Sequence, residues 1–442
     1  MITTHLRKKN GVRENTPVII WIFAMVFSYF IVIPLGTIST VAVTDFRLYD
    51  LVFIIGVIFI ILPNLKLIIN RIIEYKWLSS FFVFSLWIGF TIVVVLILRG
   101  PSTALISAAR VFRFIAYGLT SAVIVTFIKT QKTLYLLLWF FFILSVLEAG
   151  LSILQFNGIV PYLFPPRWYY YGLMPTGTLG PHHLQMGMIC AMSSSIGIAL
   201  LHFEKNIIRK ILIAVSIGAL IFASFAVESR TGWIGLAIGM AYVLYRLTLR
   251  FTFDTLLMIV FIALGIILFY SQSSETMMNQ IQDTYSARFS TKIAEGGIGE
   301  LSPTRVSILR DIPNAILRHP WILVTGAGTQ NSVYVLEIGN AAHNNYLHVL
   351  IEGGIIGFVL YIRMIFNIFK QSLINFKNSK SRLAKTVLIG FQGAFLVIIF
   401  ANLYNEAFYF QYATFSLSGQ IMALVGISLH KVWVESSAKN SS

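Results

Sequence analysis

A cluster of polar side chains interrupts apolar sequence near residue 343, where the chain reads Asn340-Ala341-Ala342-His343-Asn344-Asn345. A neutral imidazole with an ordinary pKa of about 6.5 can take a proton from a hydroxyl, so His343 is a candidate general base. Asn344 and Asn345 are candidates for binding a polar substrate beside it. The alternative is structural: a histidine in this position can also cap a helix or anchor it at a membrane surface.

The strongly hydrophobic segment that follows carries Glu352-Gly353-Gly354. A carboxylate about two turns inside an apolar helix is costly and indicates a partner or a functional role. Glu352 lies four residues after His348, so the two side chains share one side of a helix. We therefore count Glu352 among the candidate substrate-binding residues.

Arg230 lies in a short turn, Glu228-Ser229-Arg230-Thr231-Gly232, between two membrane-length apolar runs. A turn this short is held at the membrane surface, where a guanidinium group can bind phosphate oxygens with two parallel hydrogen bonds. An interfacial anchor is the alternative. Arg110 and Arg113 are placed at the start of the fourth apolar span, where binding of an anion and snorkelling to the surface are equally good accounts; Arg113 is retained as a candidate.

Arg305 follows Ser302-Pro303, which predicts the start of a helix that reaches about Leu317. On a helical wheel Arg305 falls in the middle of the apolar face of this helix. That face is formed by Leu309, Ile312 and Ile316, and the opposite face carries Arg310, Asp311, Asn314 and Arg318. A guanidinium group on a packed face needs an anionic partner, which is either a ligand or a protein acid such as Glu228. Snorkelling to a lipid headgroup is the third option.

The composition predicts the scaffold that must position these residues. Of 442 residues, 57% are hydrophobic and 11% are charged, and the mean hydropathy is +0.80, which is too apolar for a soluble domain. The net charge of +16 is explained by basic cytoplasmic loops rather than by nucleic acid, which we do not expect as a partner. The single cysteine, Cys190, excludes an internal disulfide and a cysteine metal cluster.

We predict an all-α polytopic membrane protein with about twelve transmembrane helices and a single membrane domain over residues 1–442. The predicted spans are 17–35, 48–63, 77–98, 110–128, 134–156, 183–203, 208–227, 231–249, 252–271, 346–369, 384–404 and 412–430. The distribution of Lys and Arg places both termini in the cytoplasm. A large structured outer loop, residues 271–345, then lies between helices 9 and 10 and carries part of the site. A second outer loop, 157–182, is rich in aromatic residues and proline.

Two further motifs are weak by themselves. His182-His183, before the sixth span, are too isolated to name a metal site and are retained as candidate substrate contacts. Gly326-Ala327-Gly328 is a loop turn rather than a dinucleotide fingerprint, since no strand precedes it. No metal and no cofactor are expected.

Together these motifs resemble the O-antigen ligase and O-antigen polymerase family of bacterial envelope glycosyltransferases. The resemblance rests on their order over roughly residues 175–360. The motifs are Gly177-Thr178-Leu179-Gly180, Ser229-Arg230-Thr231-Gly232-Trp233, Arg305, His319-Pro320-Trp321, Gly326-Ala327-Gly328, His343-Asn344-Asn345-Tyr346-Leu347 and Glu352-Gly353-Gly354-Ile355-Ile356-Gly357.

The resemblance implies a metal-independent, inverting glycosyltransferase of the bacterial inner membrane. Its donor is a glycan on undecaprenyl diphosphate, used on the outer face of that membrane, and membrane lipid surrounds the protein. Arg230 and Arg305 then bind and stabilise the diphosphate, and His343 acts as general base. The acceptor is a second glycan in a polymerase, which is slightly favoured, or lipid A-core in a ligase.

Other functions stay open at this stage. The related oligosaccharyltransferases join the glycan to a serine or threonine of a protein. A small-solute transporter or flippase belongs to a different class. We find no internal repeat, few ionisable residues in mid-membrane and a concentration of polar chemistry on one face, all of which count against transport.

Overall fold

A computed structural model describes residues 15–32, 34–37, 45–164, 174–180, 182–247, 260, 312–314, 316–329, 331–332, 344–405, 408–409 and 417–434. Helices dominate these residues. In the first part of the chain they are α1 (Thr16–Phe30), α2 (Leu48–Gly56), α3 (Leu65–Glu74), α4 (Lys76–Phe90), α5 (Ile92–Arg99), α6 (Pro101–Phe127) and α7 (Gln131–Phe156). A short antiparallel pair of strands, β1 (Pro34–Thr37) and β2 (Asp45–Arg47), precedes α2.

The second part of the chain continues the helical bundle. Its helices are α8 (His183–Phe203), α9 (Ile207–Ala226), α10 (Arg230–Arg246), the short α11 (Ile322–Thr325), α12 (Asn345–Asn378), α13 (Arg382–Tyr404) and α14 (Leu417–Ser428). Residues 312–314 and 316–318 are also helical.

Helix α8 lies at the centre of the bundle, and every residue from Leu184 to Leu201 is buried. It packs against α9, α10 and α13. Small residues permit this close approach, because a side chain on Gly187 would collide with Ser229, and one on Gly197 would collide with Phe142. Inside a membrane such close van der Waals packing replaces the hydrophobic effect as the force between helices.

Nine helical stretches of the described residues are long and apolar enough to cross a membrane. The predicted sixth, seventh and eleventh spans match α8, α9 and α13 to within two residues. The short turn expected after the seventh span is confirmed, because α9 ends at Ala226 and α10 begins at Arg230. The predicted ninth span, 252–271, lies outside the described residues except for Val260.

The predicted start of the fourth span at Arg110 is wrong. Helix α6 begins nine residues earlier, at Pro101, and Gly100, at φ 81°, turns the chain into it. Arg110 and Arg113 therefore lie in the third and fourth turns rather than at the mouth of the helix. The sequence suggested a later start because charged residues seldom lie within a membrane helix unless they are paired. Arg113 is paired there with Asp50 of α2.

Candidate functional site

The start of α12 is fixed by two neighbouring asparagines. Asn344 caps the helix by accepting a hydrogen bond from the Leu347 backbone N–H at 3.1 Å. The Asn345 side chain is fully buried and donates to the Tyr361 hydroxyl at 3.0 Å and to Asn402 Oδ1 at 2.9 Å. Asn345 thus joins α12 to α13, while Asn344 remains half-exposed at the helix entrance. His343, the residue before this cap, lies outside the described residues.

Helix α12 is broken at Gly354, which has φ 65° and ψ −171°. The break releases three consecutive backbone carbonyls that an uninterrupted helix would satisfy from four residues further on. Each finds another donor. The Ile351 carbonyl accepts from the Ala327 N–H at 2.7 Å, and the Glu352 carbonyl accepts from the Gly328 N–H at 3.0 Å. The Gly353 carbonyl accepts from the indole of Trp87 at 2.7 Å.

The glycines of the two motifs fit into each other at this break. A Cβ on Gly326 would lie 2.1 Å from the Glu352 carbonyl oxygen, and a Cβ on Gly354 would lie 2.7 Å from the Val324 carbonyl oxygen. Both positions also have positive φ, which favours glycine. The Gly326-Ala327-Gly328 turn therefore packs directly against the Gly353-Gly354 break in α12.

Glu352 lies beneath this break at the centre of a buried polar cluster. It accepts a hydrogen bond from the Ser332 hydroxyl at 3.2 Å, and the Tyr409 hydroxyl lies 3.2 Å from its other oxygen. His348 Nε2 lies 3.2 Å from Glu352 Oε2. The Tyr409 hydroxyl also lies 3.3 Å from Thr329 Oγ1. The predicted alignment of His348 with Glu352 is confirmed.

The Tyr409 hydroxyl is an uncharged hydrogen-bond donor in this cluster. Burial, followed by the nearby Glu352 carboxyl group, raises the pKa of Tyr409 well above its usual value, so the phenol stays protonated. The cluster also joins Ser332 to His348, whose ring lies 3.4 Å from the Ser332 hydroxyl. These two residues stand on either side of positions 333–347, which include His343, so a buried polar contact links the chain before and after that stretch.

Arg230 is exposed at the first residue of α10. Ser229 caps this helix by accepting a hydrogen bond from the Gly232 N–H at 3.2 Å. Glu228, immediately before the cap, adopts φ 51°, which permits the sharp turn out of α9. The backbone of Gly232 lies against Gly187 of α8, where a Cβ would come within 2.8 Å. The local structure thus presents the guanidinium beside a helix N-terminus, whose partial positive charge favours anions.

The end of α13 connects Arg230 with the entrance to α12. Asn405 donates a hydrogen bond to the hydroxyl of Thr231, the residue after Arg230. Two residues earlier, the Leu403 carbonyl accepts a hydrogen bond from the Asn344 amide at 3.0 Å. The residues next to Arg230 and next to His343 therefore meet at the same helix end.

The remaining candidates have different surroundings. His182 caps α8 through its Nδ1, which accepts from the Leu184 N–H at 3.1 Å, and its ring stacks on His183 at 4.5 Å. Arg113 binds a protein carboxylate with two parallel hydrogen bonds: its Nε and Nη2 lie 2.9 Å and 2.7 Å from the two oxygens of Asp50. The structure therefore does not bring Arg113 to the cap of α12.

Arg305 lies outside the described part of the chain, but the end of its predicted helix is described. The wheel prediction is confirmed there, because Ile312 and Ile316 pack inward while Asn314 and Arg318 are exposed. The apolar cluster of these two isoleucines also contains Leu347 and Ile351 of α12. These described residues of the long loop thus pack onto the first turns of α12.

Sequence reasoning missed Ser332, Thr329, Tyr409 and Asn405, which all contact the candidate site. Each lies outside the long helices, where neither helical periodicity nor an unusual charge marked it. It also missed Glu148 in α7, although a carboxylate within an apolar run was a visible signal. Within the described residues, no group of three or more His, Cys, Asp or Glu side chains converges as a metal site would need.

One family model matches the sequence of this part of the chain. The family model described as O-antigen ligase matches residues 215–362, which include Arg230, Arg305, His343 and Glu352. Arg113, His182 and His183 precede the matched residues. A search of curated proteins gave no match.

Proposed function

We propose that this protein transfers a glycan from undecaprenyl diphosphate to an acceptor hydroxyl during synthesis of a surface polysaccharide, because residues 215–362 match the O-antigen ligase family model. Members of this family are glycosyltransferase-like enzymes that act on lipid-linked glycans. The reaction takes place on the outer face of the bacterial inner membrane, with both termini in the cytoplasm. Loop 271–345 contributes part of the site from that face.

One observation supports this proposal above the others: residues beside Arg230 and His343 are hydrogen-bonded to the same end of α13, at Asn405 and Leu403. Neighbouring elements can therefore carry out the two chemical tasks of glycan transfer, which are stabilisation of the leaving diphosphate and removal of the acceptor proton. Cleavage of the sugar–diphosphate bond leaves negative charge on phosphate, which Arg230 and Arg305 stabilise where it develops. His343 removes the proton of the acceptor hydroxyl.

The proposed reaction is a direct displacement. The acceptor oxygen attacks the anomeric carbon from the side opposite the diphosphate, so the new glycosidic bond has inverted configuration. The proton passes to His343, and the electron pair of the broken bond leaves with undecaprenyl diphosphate. Fixed guanidinium groups lower the barrier because they need no reorganisation as the charge appears. No metal or cofactor takes part in this scheme.

We favour a polymerase, in which the acceptor is a second lipid-linked repeat unit, over a ligase that uses lipid A-core or a transferase that uses a protein hydroxyl. The reason is biological: ligases serve only envelopes that contain lipopolysaccharide, whereas polymerases serve many polysaccharides.

Reconstituted protein tests the proposal when it is incubated with a lipid-linked repeat unit alone, with added lipid A-core, or with an acceptor protein. A ladder of glycans from the repeat unit alone supports the polymerase. Transfer only when lipid A-core or the acceptor protein is present identifies the ligase or the oligosaccharyltransferase and excludes polymerisation.

Variants test the assigned residues in the same assay. Arg305→Ala and His343→Ala, each expressed at the wild-type level, should abolish the ladder. Normal chain lengths in both variants would refute the enzyme assignment and favour transport.

A further inference from the structure

Three polar side chains form a stripe on one face of α7, at Glu148, Ser152 and Gln155. Their spacing of four and three residues aligns them along the helix. Each is buried, although α7 crosses the apolar part of the bundle. Buried polar groups are costly unless they are hydrogen-bonded, so the stripe must have partners.

Each side chain of the stripe has a partner in one loop, residues 174–180, and the Gln155 amide also donates to the Pro161 carbonyl at 3.5 Å. Glu148 Oε2 accepts from the Thr178 N–H at 2.7 Å, and the Thr178 hydroxyl lies within hydrogen-bond distance of Oε1. Gln155 accepts from the Gly177 N–H at 2.8 Å. Ser152 donates to the Pro175 carbonyl.

The fit around Glu148 is tight. A Cβ on Gly177 would lie 2.3 Å from Glu148 Oε2, so the loop backbone rests directly on the carboxylate. Gly177 has φ 63°, which permits this approach. The same loop satisfies the end of α1, because the Thr178 carbonyl accepts from the Val32 N–H at 3.0 Å.

The loop leads directly into the His182-His183 pair and the first turn of α8. One turn further on, Gly187 lies against Ser229 and Gly232, which are one residue before and two residues after Arg230. The position of loop 174–180 therefore sets where the paired imidazoles stand relative to the arginine. Glu148 lies two turns inside α7, and its carboxylate accepts hydrogen bonds from this loop.

We propose that Glu148 is a positioning residue that holds loop 174–180, and through it the His182-His183 pair, against the glycan of the lipid-linked donor. The inference rests on the proposed function and deepens it. Imidazole nitrogens can donate to and accept from sugar hydroxyls, so this wall of the site binds the glycan portion while Arg230 binds the diphosphate. We call the hydrogen bonds between Glu148 and loop 174–180 the clamp. Loss of the clamp then weakens donor binding more than it slows the chemical step.

Reconstituted full-length protein with the lipid-linked repeat unit tests the clamp through two readouts, the kinetic constants and hydrogen exchange of residues 174–180. Glu148→Ala should raise KM for the donor about tenfold, as is common when a supporting residue is removed, with kcat within about twofold. The Gly177 and Thr178 amides should exchange faster. Thr178→Val removes the hydroxyl, which contacts both Glu148 and the Phe30 carbonyl, and should shift KM and exchange in the same direction by a smaller factor.

Ser193→Ala is the matched control. Ser193 donates a hydrogen bond to Ser145 at 2.8 Å. The substitution therefore removes a buried hydrogen bond between α7 and α8 without changing a contact of the loop. It should leave KM and loop exchange at wild-type values. If Glu148→Ala does not fold, Glu148→Gln replaces it, because glutamine keeps the shape of the side chain and one acceptor oxygen. Its KM for the donor should lie between the wild-type value and the increase expected for Glu148→Ala.

The outcomes separate the two proposals. A wild-type protein that transfers no glycan overturns the proposed function and this inference with it. An active wild type whose Glu148 and Thr178 variants keep normal KM and loop exchange overturns the inference alone. So does a fall in kcat at constant KM.

Discussion

The side-chain amide of Asn405 donates a hydrogen bond to the Thr231 hydroxyl, which ties the end of α13 to the first turn of α10. Arg230 is the residue before Thr231, so this bond fixes the start of the helix that presents the guanidinium. A misplacement of about 1 Å can cost a hundredfold in rate when it affects a catalytic group. The bond is therefore expected to matter more for transfer than for stability.

Asn405→Ala should lower the rate of glycan transfer roughly tenfold or more, whereas the unfolding free energy should fall by only about 1 kcal/mol. Rates in reconstituted vesicles and the unfolding midpoint in detergent measure the two effects. Asn157→Ala is the control, because Asn157 also ends a helix and donates to a backbone carbonyl, at 2.8 Å, but at α7. Equal rates for the two variants would contradict the assigned role of Asn405.

Replacement of Arg230 by lysine should abolish most activity, although the charge is kept. A guanidinium group offers two parallel donors to phosphate, whereas an ammonium group acts as a point charge. Loss of one such positioned contact to developing charge typically costs about a hundredfold in kcat or more. Polysaccharide ladders from cells expressing Arg230→Lys and Arg318→Lys at equal levels measure the effect.

Arg318 is the control because it is exposed on the polar face of the loop helix. Its replacement should leave the ladder unchanged. A full ladder from Arg230→Lys would show that the site needs only a positive charge there.

Much of the scaffold could be predicted from the sequence because membrane helices consist of long runs of apolar residues. The ends of α8 and α9 were found to within one residue, since Asn206 and basic residues mark the turn between them. The start of α6 was misplaced because its buried charge, Arg113, is neutralised by Asp50, which is 63 positions away in the sequence. Pairing at that distance leaves no local signal.

In the candidate site, too, local features could be predicted from the sequence and contacts between distant segments could not. The alignment of His348 with Glu352 follows from helical spacing alone and was predicted. Their loop partners Ser332 and Tyr409 were not, because contact between separate segments depends on how helices pack. The Gly326-Ala327-Gly328 turn was recognised as a turn, but its purpose became clear only against the break at Gly354.

Gly354→Ala should destabilise the protein strongly. Gly354 has φ 65° and ψ −171°, a conformation that costs a non-glycine residue on the order of 1–3 kcal/mol. The added Cβ would also lie 2.9 Å from the Gly326 nitrogen, in the turn that satisfies the broken helix. The unfolding midpoint in detergent should fall, and transfer should fall with it.

Gly150→Ala is the matched control for this prediction. Gly150 lies within helix α7, and a Cβ there meets nothing within 4 Å. Alanine is favoured over glycine in a helix interior by about 1 kcal/mol, so this variant should be as stable as the wild type or more stable. Similar losses in both variants would rule out the docking of the two glycine motifs as the cause.

The Glu352 cluster should behave as one cooperative unit. Tyr409→Phe removes one hydroxyl that points to Glu352 and should cost about 1 kcal/mol, the usual net contribution of a hydrogen bond. Glu352→Ala should cost about 3 kcal/mol or more, because it takes this acceptor from the buried hydroxyls of Ser332 and Tyr409, at roughly 1–3 kcal/mol for each. Unfolding midpoints of both variants give these values.

The double variant Glu352→Ala/Tyr409→Phe decides whether the two side chains are coupled. Once Glu352 is gone, the Tyr409 hydroxyl has already lost that acceptor, so its removal should add little further loss. The cost of the double variant should therefore be smaller than the sum of the two single costs, by an amount comparable to the cost of Tyr409→Phe alone. Strictly additive costs would mean that Tyr409 is stabilised by Thr329, 3.3 Å away, and does not contribute to holding the carboxylate beneath the break in α12.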